Sequence, residues 1–261
     1  MLVVSDVHGA FDDLEHVAKR GQTLLVLGDL LNLMDYRTGE GLVADVLGLD
    51  FARASAEARG RGDYQRMREL WLQHIGDRGA EVRAEIIEAG RGQYERMAKA
   101  LEGSGAYVTY GNVDRPDMLA EYLPDGCTFV DAVTLEIEGV RVGFVGGGIS
   151  TPVGAAGEVT DEEMTEKLAS LGAVELLCSH LPPAIESLCT DVITGREERS
   201  SLPILNYIEE NRPVLHLFGD VHQPKAERWR IGSTLARNVG YFRATRRPVA
   251  IDPGGLHSLP R

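Results

Sequence analysis

Short, continuously apolar runs alternate with amphipathic stretches along this chain. LVVS at 2–5 and TLLVL at 23–27 have the pattern of parallel strands covered on both faces. The apolar runs predict strands at 1–5, 23–27, 105–110, 127–130, 133–138, 140–146, 173–178, 213–218, 226–231, 234–239 and 247–251. Helical periodicity at roughly 10–20, 160–171 and 201–211 separates some of them. The order is βαβ-like, with β-hairpins in the middle (133–146) and at the end (226–251). EIEGVRV at 136–142 should turn at Glu138-Gly139.

The stretch 41–103 breaks this rhythm. It is rich in Ala, Arg and Glu and has no strand signal, and runs such as YQRMRELWLQHI (64–75) and VRAEIIEAGRGQYERMAKAL (82–101) are amphipathic at helical spacing. Gly60, Gly62, Gly76 and Gly79 divide it into two or three helices. It reads as a helical insertion, 41–103, within a single domain spanning 1–261. Its role is open between a cap, a dimer surface and ordinary packing against the sheet.

Composition narrows the class. The chain of 261 residues is 43% apolar and 26% charged, as expected of a soluble globular protein with one large core. Its net charge of −13 disfavours non-specific binding to nucleic acid or anionic lipid. A phosphate substrate stays open, because bound cations reverse the local sign. Cys127, Cys178 and Cys189 are scattered without a CxxC pair, which points to reduced thiols and a cytoplasmic setting. No apolar run approaches the roughly 20 residues of a membrane span. The opening MLVVSDVHG lacks the basic start of a signal peptide and reads as the first strand.

The chemistry lies where the apolar runs end. Asp-Val-His occurs twice, as Asp6-Val7-His8 and Asp220-Val221-His222, each after an apolar run. Along an extended chain residues i and i+2 share a side, so each carboxylate and imidazole could face one ion. LLVLGDLLN delivers Asp29, YVTYGNVDR delivers Asn112, Asp114 and Arg115, and ELLCSHLPP delivers His180. In open α/β sheets ligands bind beyond the carboxyl ends of strands, so five such ends would gather on one edge. Glycines before Asp29, Asn112 and Asp220 would allow a sharp exit from each strand. Singly, a Gly-Asp or Gly-Asn pair reads as a turn and a lone His as a surface residue. Their joint occurrence, always after an apolar run, argues for a metal site.

Other residues carry less. Arg115 has the geometry to hold a phosphate oxygen, or to pair on the surface with Asp114 or Asp117. Gly146-Gly147-Gly148 could let backbone approach a substrate or form a plain loop. Asn32, Arg37, Asp191 and Arg196 are pocket-lining candidates, and the loop 147–160 and the segment 41–103 would shape the pocket. His16, His216 and His257 lack motif context and read as structural or surface residues. Ser179 lacks a nucleophile elbow.

The succession D-x-H, G-D, G-N, a later His and G-x-x-H resembles the calcineurin-like metallophosphoesterases, from Asp6 to His222. The resemblance implies a four-layer αββα sandwich of two mixed β-sheets flanked by helices, holding two divalent metals. By motif, Asp6, His8 and His222 would bind the first ion, Asn112 and His180 the second, and Asp29 would bridge. Asp220 stands where the family usually has a His for the second ion, and Asn238-Val239-Gly240 stands for a late Asn-Pro-Gly turn. Asp29, Asn112, Asp114 and Arg115 become the candidate catalytic contacts. The implied reaction is hydrolysis of a small phosphodiester or phosphomonoester by a metal-bound hydroxide, with no nucleic acid or membrane partner and a homodimer as candidate assembly. The extra carboxylate of Asp220 tilts preference towards Mn²⁺ or Fe²⁺ over Zn²⁺, Ni²⁺ or Mg²⁺.

Two departures matter. Val113 replaces a His that protonates the leaving group, as in small bacterial and archaeal members that also lack it. Poor leaving groups should then depart slowly unless His74 or another group substitutes. Asp220 adds a third negative charge to the ligand set. Both also fit an alternative: a metal-stabilised, weakly or non-catalytic protein-interaction scaffold of the same fold.

Overall fold

A computed structural model describes residues 1–151, 154–193 and 195–256; His257 lies outside them. The elements run β1 (Leu2–Val4), α1 (Phe11–Ala18), β2 (Leu24–Leu27), α2 (Leu42–Leu47), α3 (Leu49–Gly60), α4 (Tyr64–Ile75), α5 (Gly79–Leu101), β3 (Tyr107–Thr109), α6 (Pro116–Tyr122), β4 (Thr128–Phe129), β5 (Val133–Ile137), β6 (Val140–Val145), β7 (Gly148–Ile149) and β8 (Glu158–Val159). They continue with α7 (Asp161–Leu171), β9 (Leu176–Ser179), α8 (Glu186–Cys189), α9 (Leu202–Asn211), β10 (Leu215–Phe218), β11 (Arg228–Ile231), β12 (Thr234–Asn238), α10 (Phe242–Thr245), β13 (Val249–Ala250) and α11 (Pro253–Leu256). The chain resolves into two compact units, Met1–Leu30 with Met97–Arg261, and Leu31–Arg96.

The larger unit holds two mixed sheets of order β13-β1-β2-β3-β4 and β11-β12-β10-β9-β6-β5. Strands β1 to β4 run parallel, as do β6, β9, β10 and β12. Alternate residues of both sheets meet in one dry layer, where Val3, Leu25 and Leu27 join Val142, Phe144, Leu176 and Leu217. Outside the second sheet, Val145, Leu177, Phe218 and Ala236 pack with Met164 and Leu168 of α7 and Ile204 and Ile208 of α9. On the first sheet Leu24 and Val26 are buried on the other face, as are Phe11, Leu14 and Val17 of α1. The result is the layered helix–sheet–sheet–helix sandwich. Caps suit the helix starts: Thr160 and Glu163 form a capping box on α7, and the Ser201 side chain accepts from the Ile204 amide at α9.

The smaller unit opens on the loop 31–41 and is helical beyond it, with no strand among its described residues. Four α-helices and a 3-10 turn (Gly76–Arg78) fill 42–101, more than the two or three expected, because Gly48 adds a break. Its core joins Val43, Leu47, Phe51, Ala52 and Val82. His74 stacks on Phe51 at 4.4 Å and its Nε2 lies 3.1 Å from the Leu47 carbonyl, so its ring is engaged within this unit. Asn32 bonds Gln93, its amide to Oε1 at 2.7 Å, and Arg37 sits in the Asp35 turn.

Two expectations fail here. Strands β11 and β12 do form a hairpin, but β13 leaves it to pair antiparallel with β1, so 226–251 is not one hairpin. The short elements α6, α8, α10, α11, β7 and β8 lie outside the expected set, since two to seven residues show too little periodicity to read. The turn at Glu138-Gly139 forms, both residues having positive φ. All three cysteines are free thiols, and burial pushes Cys178 up. No helix among the described residues is long and apolar enough to cross a membrane.

His216 on β10 is a buried histidine of structural kind. Ser179 Oγ donates to the Leu181 carbonyl at 2.7 Å, so His216 Nε2–H donates to Ser179 at 2.7 Å. Nδ1 is buried with no hydrogen-bond partner, and burial pushes the imidazole pKa down to about 3. The unfolded chain takes up a proton near pH 6.5 that the folded chain refuses until about pH 3. This contribution is therefore intact above pH 6.5 and lost as pH falls through that window, at about 1.4 kcal/mol per pH unit at the steepest. In urea titrations across this range, His216→Leu should flatten the pH dependence of stability; an unchanged slope would rule the group out.

Candidate metal centre

Seven expected ligands, all in the larger unit, come together beyond the carboxyl ends of β1, β2, β3, β9 and β10. The link between strand and ligand is not the extended i, i+2 spacing expected for the Asp-Val-His pairs. Strands β1 and β10 end at Val4 and Phe218, and the chain then turns left-handed at Asp6 (φ 57°), His8 (φ 41°) and Asp220 (φ 66°). Asp29 does the same (φ 53°), so four of the eight non-glycine residues with positive φ among the described residues are ligand candidates. Such conformations cost of order 1 kcal/mol each and concentrate at functional sites.

The glycines before the ligands do different jobs. Gly28 has positive φ (94°), but Gly111 and Gly219 do not. They are small because space demands it. A Cβ on Gly111 would strike Asp29 Oδ1 and His180 Nε2, and one on Gly219 would strike Ser5 Oγ and Asp6 Oδ2. Gly148 likewise abuts the ligand candidate Asn112, whereas Gly146 packs on Thr109 and Tyr110 and Gly147 on Val159, so the triple glycine serves close packing.

Two clusters share Asp29. In the first, His8 Nε2 and His222 Nε2 are 3.2 Å apart, and Asp6 Oδ1 lies 3.3 Å from His222 and 3.9 Å from His8. In the second, His180 Nε2 lies 3.5 Å from Asp220 Oδ1. The Asn112 amide presents one atom 3.2 Å from each of His180 Nε2, Asp220 Oδ1 and Asp29 Oδ2. Turned nitrogen-inward the amide donates to these acceptors; turned oxygen-inward it is a cation ligand. Asp29 spans the two, with Oδ2 3.5 Å from His8 and Oδ1 3.4 Å from His180.

This donor set fits divalent cations. Asp6 Oδ1 is buried and has no hydrogen-bond partner. Asp6, His8 and His222 offer one ligand atom each within 4.8 Å of one another, as do Asp6, Asp29 and His180. His180 Nδ1 lies 2.8 Å from the Leu27 carbonyl, to which it donates, so Nε2 keeps its lone pair for an ion. Carboxylate and imidazole together suit Mn, Fe and Zn.

The electrostatics ask for positive charge. Burial pushes Asp29 up, but the charge and hydrogen bond of His180, with help from His8 and the Val113 amide, hold it well below the usual carboxylate range. Burial is likewise outweighed at Asp6 by His222, leaving it lowered. Burial pulls His180 and His222 down, but Asp29 and Asp220 raise the first well above its ordinary value, and Asp6 raises the second. Protons and cations can both meet this demand, so cation binding must release protons.

No family model matches the sequence, and none of the curated proteins does. Solved structures share its fold, two among them as follows. The crystal structure of TT1561 of Thermus thermophilus is 13% identical, with a TM-score of 0.53, over 95% of this chain and 96% of that one. A second crystal structure is 17% identical, with a TM-score of 0.57, over 92% and 90%. At such identities the likeness is one of fold.

Not every candidate faces the cluster. The Asp114 carboxylate accepts from the backbone amides of Leu30 and Gly111, each at 2.9 Å, and so ties together the loops after β2 and β3. Arg115 donates to Asp117 at 3.4 Å, as in the surface-pair alternative. Asp191 and Arg196 close a turn through a 2.9 Å backbone bond. His16 Nδ1 lies 2.6 Å from the Asp12 carbonyl on α1.

Three residues carry more than their sequence shows. Asn238 Nδ2 donates to the carbonyls of Gly219 (3.3 Å) and Val221 (2.9 Å), bracketing Asp220. Tyr241 stacks on His222 at 3.9 Å and meets His8 edge-on at 5.7 Å. Arg243 donates through its side chain to the His8 carbonyl and through its amide to that of Asp6. Only the Asn-Val-Gly turn before them hinted at this.

Proposed function

We propose that this chain is a metal-dependent phosphoesterase of the calcineurin-like kind, hydrolysing small phosphodiesters or phosphomonoesters. The observation that carries the reading is Asp29, buried between two ligand clusters with one oxygen towards each. Asp6, His8 and His222 would hold one cation, Asn112, His180 and Asp220 the other, and Asp29 both. Divalent ions held so would supply a water of lowered pKa and an electrophile for the phosphoryl oxygens. The remaining duties fall to the chain. Its buried carboxylates set the charge of the site, the Leu27 carbonyl aims His180, and Tyr241 holds the plane of the His222 ring.

Val113 has no side-chain proton to give, and its amide is committed to Asp29 Oδ1 at 3.2 Å. The same feature favours the alternative of a weakly catalytic scaffold. Purified protein with Mn²⁺ should turn over bis-p-nitrophenyl phosphate and stop on chelation. Across a series of aryl phosphate esters the rate should fall as the leaving-group pKa rises. A rate independent of that pKa would mean that another group protonates the leaving oxygen. No turnover with any divalent metal would leave the scaffold.

A further inference from the structure

One stretch of this acidic chain is strongly basic. Between 225 and 247 stand seven basic residues and a single acid, Glu227, a local charge of +6 in a chain of net −13. Lys225 and Arg246 are paired with Glu186 and Asp13. Arg228, Arg230 and Arg237 have no ion-pair partner among the described residues.

These three share one face. β11 is the edge strand of its sheet, and Arg228 and Arg230 alternate with Trp229 and Ile231. Ile231 is buried in the outer core layer, so the arginines point to the opposite side. Arg237 on β12 lies directly across from Arg228. Like charges in that position repel and destabilise the pair. Burial and then the Arg228 charge lower Arg237, with Glu227 opposing. Arg230 donates only to the Ser233 carbonyl, at 3.1 Å. An anion between the guanidinium groups would turn this repulsion into attraction.

The face lies one strand away from the chain that carries Asp220. Arg237 pairs in register with Leu217, three residues before Asp220 and one strand away, roughly 10 Å along the strand. The next residues on the chain are Asn238, which brackets Asp220, and Tyr241, which stacks on His222. We propose that the Arg228–Arg230–Arg237 face is an anion subsite for the distal phosphates of a small ligand carrying several phosphate groups. A long polyanion would meet the repulsion of the acidic remainder; a short oligophosphate would not. The tie to catalysis rests on the phosphoesterase reading, but the binding does not.

The test measures binding apart from turnover. The full chain, dialysed against chelator, is titrated calorimetrically with sodium tripolyphosphate at physiological salt. One site is expected, weakened at least about tenfold in the double variant R228Q/R237Q and unchanged in R246Q. If the double variant does not fold, the exposed R230Q must show the loss. Wild-type affinity in the variants, or no binding by the wild type, overturns the subsite. So does tighter binding of a single-stranded oligonucleotide through the same arginines. Failure of the protein to hydrolyse any ester would sink the proposed activity and leave this result standing.

Discussion

Asp29→Ala should abolish metal loading and lower turnover of bis-p-nitrophenyl phosphate by at least about a thousandfold. Asp6 lies within ligand reach of both clusters, but Asp29 spans them at close range, reaching His8 with one oxygen at 3.5 Å and His180 with the other at 3.4 Å. Its loss removes a buried negative charge from both clusters at once and leaves the Val113 amide without its acceptor. His180 loses the carboxylate that raises its pKa and His8 loses a carboxylate oxygen 3.5 Å away, so neither half should keep its affinity for a cation. His222→Ala makes the useful contrast. It touches only the Asp6–His8 cluster and should spare one cation. Elemental analysis of protein loaded with Mn²⁺ and then desalted reads both outcomes. If Asp29→Ala keeps two equivalents of metal, the shared-ligand reading is wrong.

Asp114→Ala should cost about 3–5 kcal/mol of stability, a large share of the 5–15 kcal/mol typical of a folded domain. The carboxylate is 1% exposed and accepts from two backbone amides at 2.9 Å. Alanine would leave those amides of Leu30 and Gly111 without their side-chain acceptor. The cost should reach the metal centre indirectly, because Asp29 precedes Leu30 and Asn112 follows Gly111. Asp114→Asn can still accept one of the two bonds and should lose about half as much. Urea unfolding of the three proteins under one metal concentration checks the series. Wild-type stability with lost turnover would instead make Asp114 a catalytic group.

Asp114 also shows where reading the residues stops. Its place in the G-N-V-D run suggested chemistry, yet its side chain braces two loops. Nothing local distinguishes those uses, since both need a carboxylate one turn after a strand. The glycines teach the same lesson. Gly111 and Gly219 were expected to supply backbone freedom, but they stand where a Cβ would hit Asp29, His180, Ser5 and Asp6. Those neighbours lie on other strands, so no pattern along the chain announces them. The Asp-Val-His pairs do meet in one cluster, but not by the expected geometry. Left-handed turns at Asp6, His8 and Asp220, not extended alternation, bring them inward.

Residue type and spacing alone were enough to set the alternation of buried strands and helices, the helical block, and the seven polar side chains that gather beyond the strand ends. Burial and ligand chemistry are properties of residue type and spacing, and both survive in a linear string. Tertiary structure alone decided that β13 crosses to the first sheet and that Tyr241 and Arg243 lie against His222 and His8. It also decided that Arg228 and Arg237 stand opposite each other on one sheet face with Arg230 beside them. These depend on which distant strands become neighbours, a choice made by packing two sheets face to face rather than by any local preference.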